Sequence, residues 1–332
     1  MDMAGEGREP IRETGLARHL FHCHLDDQPD HLVPQRYLRD WESPADRPLF
    51  VNRDCHFTKS GELPSMVGDS AWLIDHFALD ANIVWIEDRV RHSLNPFWIG
   101  LQLGQALTGL RPGDRAPSTL SSDALHVLAR ANVLVPADHL SSQSRRWNQV
   151  MSRSATEFEG NRYTPIGELI HPFHISALRR YYRHLIRQGT FKLGDDQSPL
   201  RYTAQNESVA RFFHHQLTAT VARIVEEPVK PSYVYLGSYQ GGSELEVHID
   251  REQCEFSISL CIDYSPEPAR ETPWPLQLHT RTGRTRVFQG IGDALLYSGR
   301  ELPHSRDPLP QRNTSTSLFF HYVRESFAGA LK

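Results

Sequence analysis

Apolar residues recur at helical spacing through much of the first half of the chain. The pattern runs from Ser70 to Leu140, and Ser118 is the predicted start of a helix with Leu125 and Leu128 on one face. The apolar run at 133–135 predicts a short strand after that helix. Helices followed by a short strand suggest a small winged-helix-like unit, so residues 1–160 are predicted to form a mainly helical N-terminal region.

Residues 141–160 carry mostly polar side chains and are predicted to connect this region to the rest of the chain. In the second half, residues 174–188 have the spacing of an amphipathic helix. Asn206 is the predicted N-cap of another helix that extends to Ile224.

After Pro231 the pattern changes to short β-rich runs separated by Gly, Pro and Asp. These runs are 232–239, 245–250, 256–264, 274–280, 285–290, 293–299 and 315–323. Seven or eight short strands within roughly 95 residues predict an antiparallel sandwich or barrel. Helices preceding such strands fit helices packed against an outer sheet face, so residues 161–332 are predicted to form an α+β domain.

Composition excludes several functional classes. The formal net charge of −4 removes the electrostatic case for binding nucleic acid or an anionic membrane. No apolar run has the length of a membrane-spanning helix, and the first residues lack the pattern of a secretory signal. Four scattered cysteines do not suggest a disulfide framework. These features predict a cytoplasmic protein and leave its oligomeric state open.

The segment Leu245-Glu246-Val247-His248-Ile249-Asp250 contains the pair most typical of a metal site. Alternate residues of a strand project to the same face, so His248 and Asp250 can point together into a barrel interior. An imidazole and a carboxylate suit a divalent metal of intermediate softness. His304, 54 residues beyond Asp250, is the candidate third ligand. Without other signals an H-x-D pair is weak evidence, because the chain contains 18 histidines.

The flanking residues resemble the iron(II)- and 2-oxoglutarate-dependent oxygenases, in their prolyl-hydroxylase-like branch. The shared order is a tyrosine, an H-x-D motif, a Gly-Asp before a strand, a distal histidine and a basic residue, here Tyr239, His248-x-Asp250, Gly292-Asp293, His304 and Arg312. The resemblance covers about residues 165–325. It implies a double-stranded β-helix, or jelly roll, as the core.

The resemblance also implies the site and its chemistry. His248, Asp250 and His304 would bind Fe(II), and Arg312 would bind the distal carboxylate of 2-oxoglutarate through its planar guanidinium. Further co-substrate contacts would come from Tyr239, Tyr233 or Tyr235, and Thr314 or Thr316. Arg306, two residues after His304, is the alternative to Arg312, but it is too close in sequence to reach the neighbouring strand.

A carboxylate at position 250 favours hydroxylation over halogenation, since related halogenases carry a small residue there. With O2 as the oxidant, the implied reaction hydroxylates an amino acid or a peptide-borne residue and converts 2-oxoglutarate to succinate, in a natural-product or other specialised pathway. One alternative is desaturation, epoxidation or cyclisation at the same iron. Another is an inactive peptide-binding module, which the presence of all three ligands and Arg312 disfavours.

Overall fold

The computed structural model describes residues 19–26, 33, 34, 37 and 47–331; the first 18 residues of the predicted N-terminal region lie outside these ranges. The helices are a 3-10 helix at Ser65–Ile74 and the α-helices α1 Leu101–Leu107, α2 Ser122–Arg130, α3 His139–Asn161, α4 Pro172–Arg187, α5 Ser208–Gln216 and α6 Thr218–Val225.

Sixteen strands accompany these helices in the described part of the chain. They are β1 Leu49–Val51, β2 Cys55–Thr58, β3 Asn82–Asp88, β4 Ser93–Ile99, β5 Leu134–Pro136, β6 Tyr163–Ile166, β7 Lys192–Leu193, β8 Arg201–Gln205, β9 Val229–Tyr239, β10 Leu245–His248, β11 Phe256–Ser265, β12 Leu276–Thr280, β13 Gly283–Val287, β14 Ala294–Tyr297, β15 His304–Arg306 and β16 Thr314–Arg324.

Strands β9 to β16 form a jelly roll, which confirms the predicted fold class. One sheet has the order β6-β14-β11-β16-β9-β8-β7 and the other has the order β10-β15-β12-β13, with antiparallel pairing in both. Beginning at β9, the chain passes repeatedly from one sheet to the other, as in a double-stranded β-helix. The predicted runs after Pro231 all became strands, while β6, β7, β8 and β15 were not predicted.

Strand alternation decides which residues line the space between the two sheets. His321 of β16 pairs with Ser257 of β11, and Ser257 pairs with Tyr297 of β14, so these three side chains share the inner face. On the opposing sheet, His304 pairs with both His248 and Leu278. The side chains of Leu278 and Tyr297 belong to one small apolar cluster, which joins the two sheets.

The N-terminal half contains more strands than the sequence pattern predicts. Strands β3 and β4 lie within the stretch where helical spacing extends from Ser70, and they form an antiparallel sheet with β2, so the helical prediction for residues 82–99 is wrong. The buried cluster Val84, Trp85, Phe97 and Trp98 explains the error, because a run of fully buried strand residues has no period-2 signal. The predicted strand at 133–135 is confirmed as β5, which pairs with β1.

The predicted connector at 141–160 is wrong, because these residues form most of α3. Its buried face consists of Trp147, Met151, Ser154 and Phe158, at spacings of four, three and four residues. Only three of these side chains are apolar, so the polar majority concealed the periodicity. The helix packs against α6 and β6.

Two predicted helix starts also shift. Ser121, not Ser118, caps α2 by accepting a hydrogen bond from the backbone N–H of Ala124. Glu207, not Asn206, caps α5, since its carboxylate accepts hydrogen bonds from the N–H groups of Val209 and Ala210. Helix α4 begins two residues before its predicted start at residue 174 and ends one residue before its predicted end at 188.

One continuous apolar core includes buried residues from both halves of the chain, from Phe21 to Tyr322. The N-terminal half therefore packs directly on the helices that support the jelly roll. Across the described ranges, no helix is both long and apolar enough to cross a membrane. The cytoplasmic location stays a prediction.

The contact between α3 and the jelly roll can be tested by truncating Phe158, which is 2 % exposed and lies 6.0 Å from the ring of Phe256. We expect Phe158→Ala to lower the free energy of unfolding by about 3–5 kcal/mol, because it leaves a cavity where an aromatic ring packs. Glu159→Ala on the exposed face of the same helix is the control, with an expected change within about 0.5 kcal/mol. Denaturant unfolding measures both; equal effects would contradict the packing of α3.

Candidate metal centre

His248, Asp250 and His304 converge although they come from different segments. His248 ends β10, Asp250 follows it in the adjoining loop, and His304 begins β15. The Nε2 atom of His304 lies 3.6 Å from Asp250 Oδ1, and the Nε2 atom of His248 lies 3.9 Å from the same oxygen. One ligand atom from each residue falls within 4.8 Å of the other two. The structure therefore brings together all three predicted metal ligands.

The hydrogen bonds of the two imidazoles determine which nitrogen faces the centre. Nδ1 of His248 lies 2.8 Å from the carbonyl oxygen of Glu246, and Nδ1 of His304 lies 3.0 Å from that of Leu302. A carbonyl oxygen only accepts, so each Nδ1 carries the proton and each Nε2 presents a lone pair.

These lone pairs meet Asp250 Oδ1 at distances too long for a hydrogen bond. Three electron-rich atoms thus face one another. Two imidazole nitrogens and a carboxylate oxygen are the donor set of a non-haem iron(II) site with open positions, so these residues fit such an ion. The backbone contacts of the two Nδ1 atoms are the outer hydrogen bonds that orient metal-binding histidines.

Burial favours the uncharged form of each of these groups in the protein alone. It raises the pKa of Asp250 to about 6, against the opposing effects of the Ser257 hydroxyl and of His248. It lowers the pKa of His304 to about 4. Burial and the neighbouring His304 also lower the pKa of His248. A divalent cation would offset the cost of the buried carboxylate, since it supplies the positive charge that the histidines do not carry.

The loop after β14 approaches Asp250 so closely that it requires a glycine at position 299. The backbone N–H of Asp250 donates to the carbonyl oxygen of Gly299, at 2.9 Å. A Cβ atom on Gly299 would lie 2.2 Å from Asp250 Oδ2 and 2.7 Å from the carbonyl oxygen of Cys254. No local sequence pattern singles out Gly299, because its role depends on the spatial approach of the loop after β14 to Asp250.

Of the candidate tyrosines, Tyr233 and Tyr239 both lie on the inner face of β9. The Tyr233 ring is 4.5 Å from that of His321, and its hydroxyl is 3.1 Å from Cys254 Sγ. Tyr239 is fully buried, and its hydroxyl accepts a hydrogen bond from Arg201 at 2.9 Å. Tyr235, the third candidate, donates its hydroxyl hydrogen to Asp195.

The predicted carboxylate-binding residues lie elsewhere. Arg312 is exposed, in the turn that precedes β16, so the structure does not bring it into the barrel interior. Thr316 contacts Ser238 Oγ at 2.9 Å on the outer face of the sheet, and Thr314 has the same parity along β16. The alternation places Ser315, Ser317, Phe319 and His321 inward instead.

Arg306, by contrast, lies in the interior beside His304. It is 5 % exposed on β15, where it shares the inner face with His304 because the two residues are two apart. Its Nη1 donates to the carbonyl oxygen of Trp274 at 2.8 Å, and its guanidinium lies 4.5 Å from the Trp274 ring centre. Arg306 does not cross to the neighbouring strand; the two-residue spacing keeps it on β15, beside the predicted metal ligand His304.

The guanidinium of Arg306 lacks a matching anion. Its Nε atom is buried with no hydrogen-bond partner, and no carboxylate of the described ranges forms an ion pair with it. Burial lowers the pKa of Arg306, while Tyr239, Cys261 and Tyr297 are the nearby groups that oppose this effect. A buried cation without a partner is costly, so this position favours an anionic ligand.

Two further aromatic residues, Tyr297 and Trp274, lie in the interior. The Tyr297 ring lies 4.9 Å from that of His304. The Trp274 ring lies 5.0 Å from the Tyr239 ring and packs against the Arg306 guanidinium. The strand parity of 294–297 could have identified Tyr297, whereas the irregular segment around Trp274 gives no such signal.

A separate cavity of about 540 Å³ lies in the N-terminal half and shares no residue with the metal centre. Asn52, Asp54, Asp88 and His139 are among its polar lining residues. Asp88 already accepts hydrogen bonds from the side chain of Gln143 and from backbone N–H groups. The chemistry of the protein is therefore better sought at the triad than in this cavity.

No family model and no curated protein matches the chain. Among solved structures it is similar to a prolyl-4-hydroxylase from Pseudomonas putida (13 % identity, 53 % of this chain, 100 % of that chain, TM-score 0.44). It is also similar to SnoN, a non-haem α-ketoglutarate-dependent epimerase from nogalamycin biosynthesis (10 % identity, 53 % of this chain, 83 % of that chain, TM-score 0.46). A third similar structure is that of HygX from Streptomyces hygroscopicus, solved with nickel and 2-oxoglutarate (12 % identity, 53 % of this chain, 87 % of that chain, TM-score 0.42). At these TM-scores the similarity carries no argument about function. Any functional proposal must therefore rest on the strand topology and the site geometry of this chain.

The role of Gly299 gives a test of the metal centre. We expect Gly299→Ala to weaken anaerobic Co(II) binding at least about tenfold, because the added methyl group displaces the Asp250 carboxylate. Gly160→Ala is the matched control, since its Cβ would meet nothing within 4 Å on an exposed helical turn. Titration followed by visible absorption measures both. Undiminished affinity in Gly299→Ala would contradict the placement of Asp250 as a ligand.

Proposed function

We propose that the protein is an iron(II)- and 2-oxoglutarate-dependent dioxygenase that hydroxylates an unactivated carbon. The observation that carries this proposal is the convergence of two imidazole Nε2 atoms and one carboxylate oxygen in the same barrel interior as an unpaired guanidinium. The first feature suits a divalent metal, and the second suits a carboxylate. A co-substrate with a carboxylate that also chelates the metal would satisfy both.

When bound, the metal together with 2-oxoglutarate and dioxygen supplies oxidative decarboxylation to succinate and the oxidation of a carbon–hydrogen bond. The role of the chain is to hold and orient these groups. His248, Asp250 and His304 would occupy three positions at the ion and leave the others open. The buried rings of Tyr239, Trp274 and Tyr297 restrict the access of water to this space.

Arg306 replaces Arg312 as our proposed anchor for the distal carboxylate of 2-oxoglutarate. Its planar guanidinium is buried, is held by the Trp274 carbonyl oxygen and forms no ion pair with a carboxylate among the residues that the structure describes. Bidentate binding by such a group gives both charge compensation and a fixed orientation. The Trp274 ring packs against both the Arg306 guanidinium and the Tyr239 ring, which supports a place for this tyrosine beside the co-substrate.

We propose an amino acid or a peptide-borne residue as the substrate class. Exposed charged residues, Arg251 and Glu252, directly follow Asp250, and the apolar side chains of Val247 and Ile249 are exposed beside His248. A rim with both signs of charge and apolar surface suits a zwitterionic or peptide substrate. The retained carboxylate at Asp250 supports hydroxylation, and product mass distinguishes it from desaturation or cyclisation.

His248→Ala tests the activity itself. Purified protein supplied with Fe(II), ascorbate and 2-oxoglutarate should release succinate slowly even without its substrate. We expect the variant to release succinate only at the rate of a protein-free sample, because a ligand is lost. His126→Ala on α2, outside the jelly roll, should retain the wild-type rate. Succinate release that survives in His248→Ala would refute the assignment.

A second pair of variants tests the carboxylate anchor. We expect Arg306→Gln to raise the KM for 2-oxoglutarate about 10- to 100-fold, since charge-assisted hydrogen bonds are lost. Arg312→Gln should leave this KM within about twofold, because Arg312 lies in an exposed turn. Steady-state succinate assays provide both values. The opposite ranking would restore Arg312 as the anchor.

A further inference from the structure

Asp250 has two carboxylate oxygens, and the protein treats them differently. Oδ1 faces the Nε2 atoms of His248 and His304. Oδ2 accepts a hydrogen bond from the Ser257 hydroxyl, at 2.9 Å. The backbone N–H of Asp250 is also fixed, by the Gly299 carbonyl oxygen. The hydrogen bond to Oδ2 opposes rotation of the carboxylate and so keeps Oδ1 directed at the centre.

Ser257 is in turn held by His321, its cross-strand neighbour on β16. His321 Nδ1 lies 2.9 Å from Ser257 Oγ. A serine hydroxyl has a single hydrogen, and here that hydrogen goes to the carboxylate. The Ser257 oxygen must therefore accept from His321, so Nδ1 of this imidazole carries its proton.

The surroundings of His321 hold it in the neutral form and in one orientation. Burial lowers the pKa of His321 to about 3, which leaves a single N–H on the ring. The Tyr233 ring lies 4.5 Å from the imidazole, and the backbone carbonyl of His321 contacts His214 Nε2 at 2.9 Å. The His321 donor is thus directed at Ser257 by packing that is independent of Asp250.

We propose that Ser257 and His321 are positioning residues that set the orientation of Asp250 for metal binding through a chain of two hydrogen bonds. This inference rests on the proposed function only in that the triad binds a divalent metal. The hydrogen-bond partners of a ligating carboxylate influence metal affinity because they fix the direction of its free oxygen. A buried chain whose members are all hydrogen-bonded is also more rigid than its separate contacts.

Strand β11 provides its own control. Ser259 lies two residues after Ser257, is fully buried and has the same parity along the strand. Its hydroxyl oxygen has no hydrogen-bond partner. Ser259→Ala therefore removes the same atom from the same face of the same strand without breaking a contact to Asp250.

The experiment measures Co(II) affinity of the full-length apoprotein by anaerobic titration, with the visible spectrum of the complex as a second readout. We expect Ser257→Ala to weaken binding at least about tenfold and to shift the spectrum. His321→Leu should weaken binding by less, about three- to tenfold, because Ser257 can still donate to Oδ2. His321→Asn should bind within about twofold of wild type, since its amide nitrogen occupies the position of Nδ1.

Ser259→Ala and wild type should bind alike, and thermal melting of each variant reports its folding. Wild-type affinity and spectrum in both Ser257→Ala and His321→Leu would overturn the positioning role while leaving the metal centre in place. His321→Asn binding as weakly as His321→Leu would overturn the hydrogen-bond donor role of His321. Failure of the wild type to bind Co(II) would overturn this inference together with the proposed function.

Discussion

Three electron-rich atoms face one another in a largely buried space, and no proton lies between them. The Nδ1 atoms of His248 and His304 are held by backbone carbonyl oxygens, so the imidazoles cannot donate to Asp250 from the side that faces it. Burial makes the charge of Asp250 costly. A divalent cation resolves both problems at once. The other features of the site, from Gly299 to Ser257, are intelligible as means of keeping one carboxylate oxygen in this position.

The jelly roll produces this arrangement from residues that are far apart in sequence. His248 and His304 belong to neighbouring strands of the four-stranded sheet, and Ser257 and His321 belong to neighbouring strands of the opposing sheet. Alternation directs all four side chains into the space between the sheets. The helices and the N-terminal sheet share one apolar core with the larger sheet, so the outer support and the inner site depend on the same strands.

The sequence predicted the parts of this structure that local periodicity determines. The strands after Pro231 and the helix α4 are confirmed, because strand parity and helical spacing are visible in a few consecutive residues. The H-x-D motif is equally local, and the structure brings its two residues together with His304. The helix α3 was missed because its buried face includes Ser154 among three apolar residues. Arg306 is set aside in the sequence because it lies only two residues from His304, whereas Thr314 is favoured because the inward-facing parity of β16 is visible only from the register of its pairing. Gly299 and His321 became recognisable only through contacts between different strands.

Charge balance connects Asp250 and Arg306, the two charged groups of the interior on which the site depends. Asp250 carries one negative charge beside the histidines, and Arg306 carries one positive charge with no protein anion in the described part of the chain. An iron(II) ion adds two positive charges, and 2-oxoglutarate is a dianion, so the four together are neutral. Either ligand alone would leave a net charge in a space of low dielectric, where such a charge is expensive. The same electrostatics therefore favours binding of the metal and the co-substrate together over binding of either one alone.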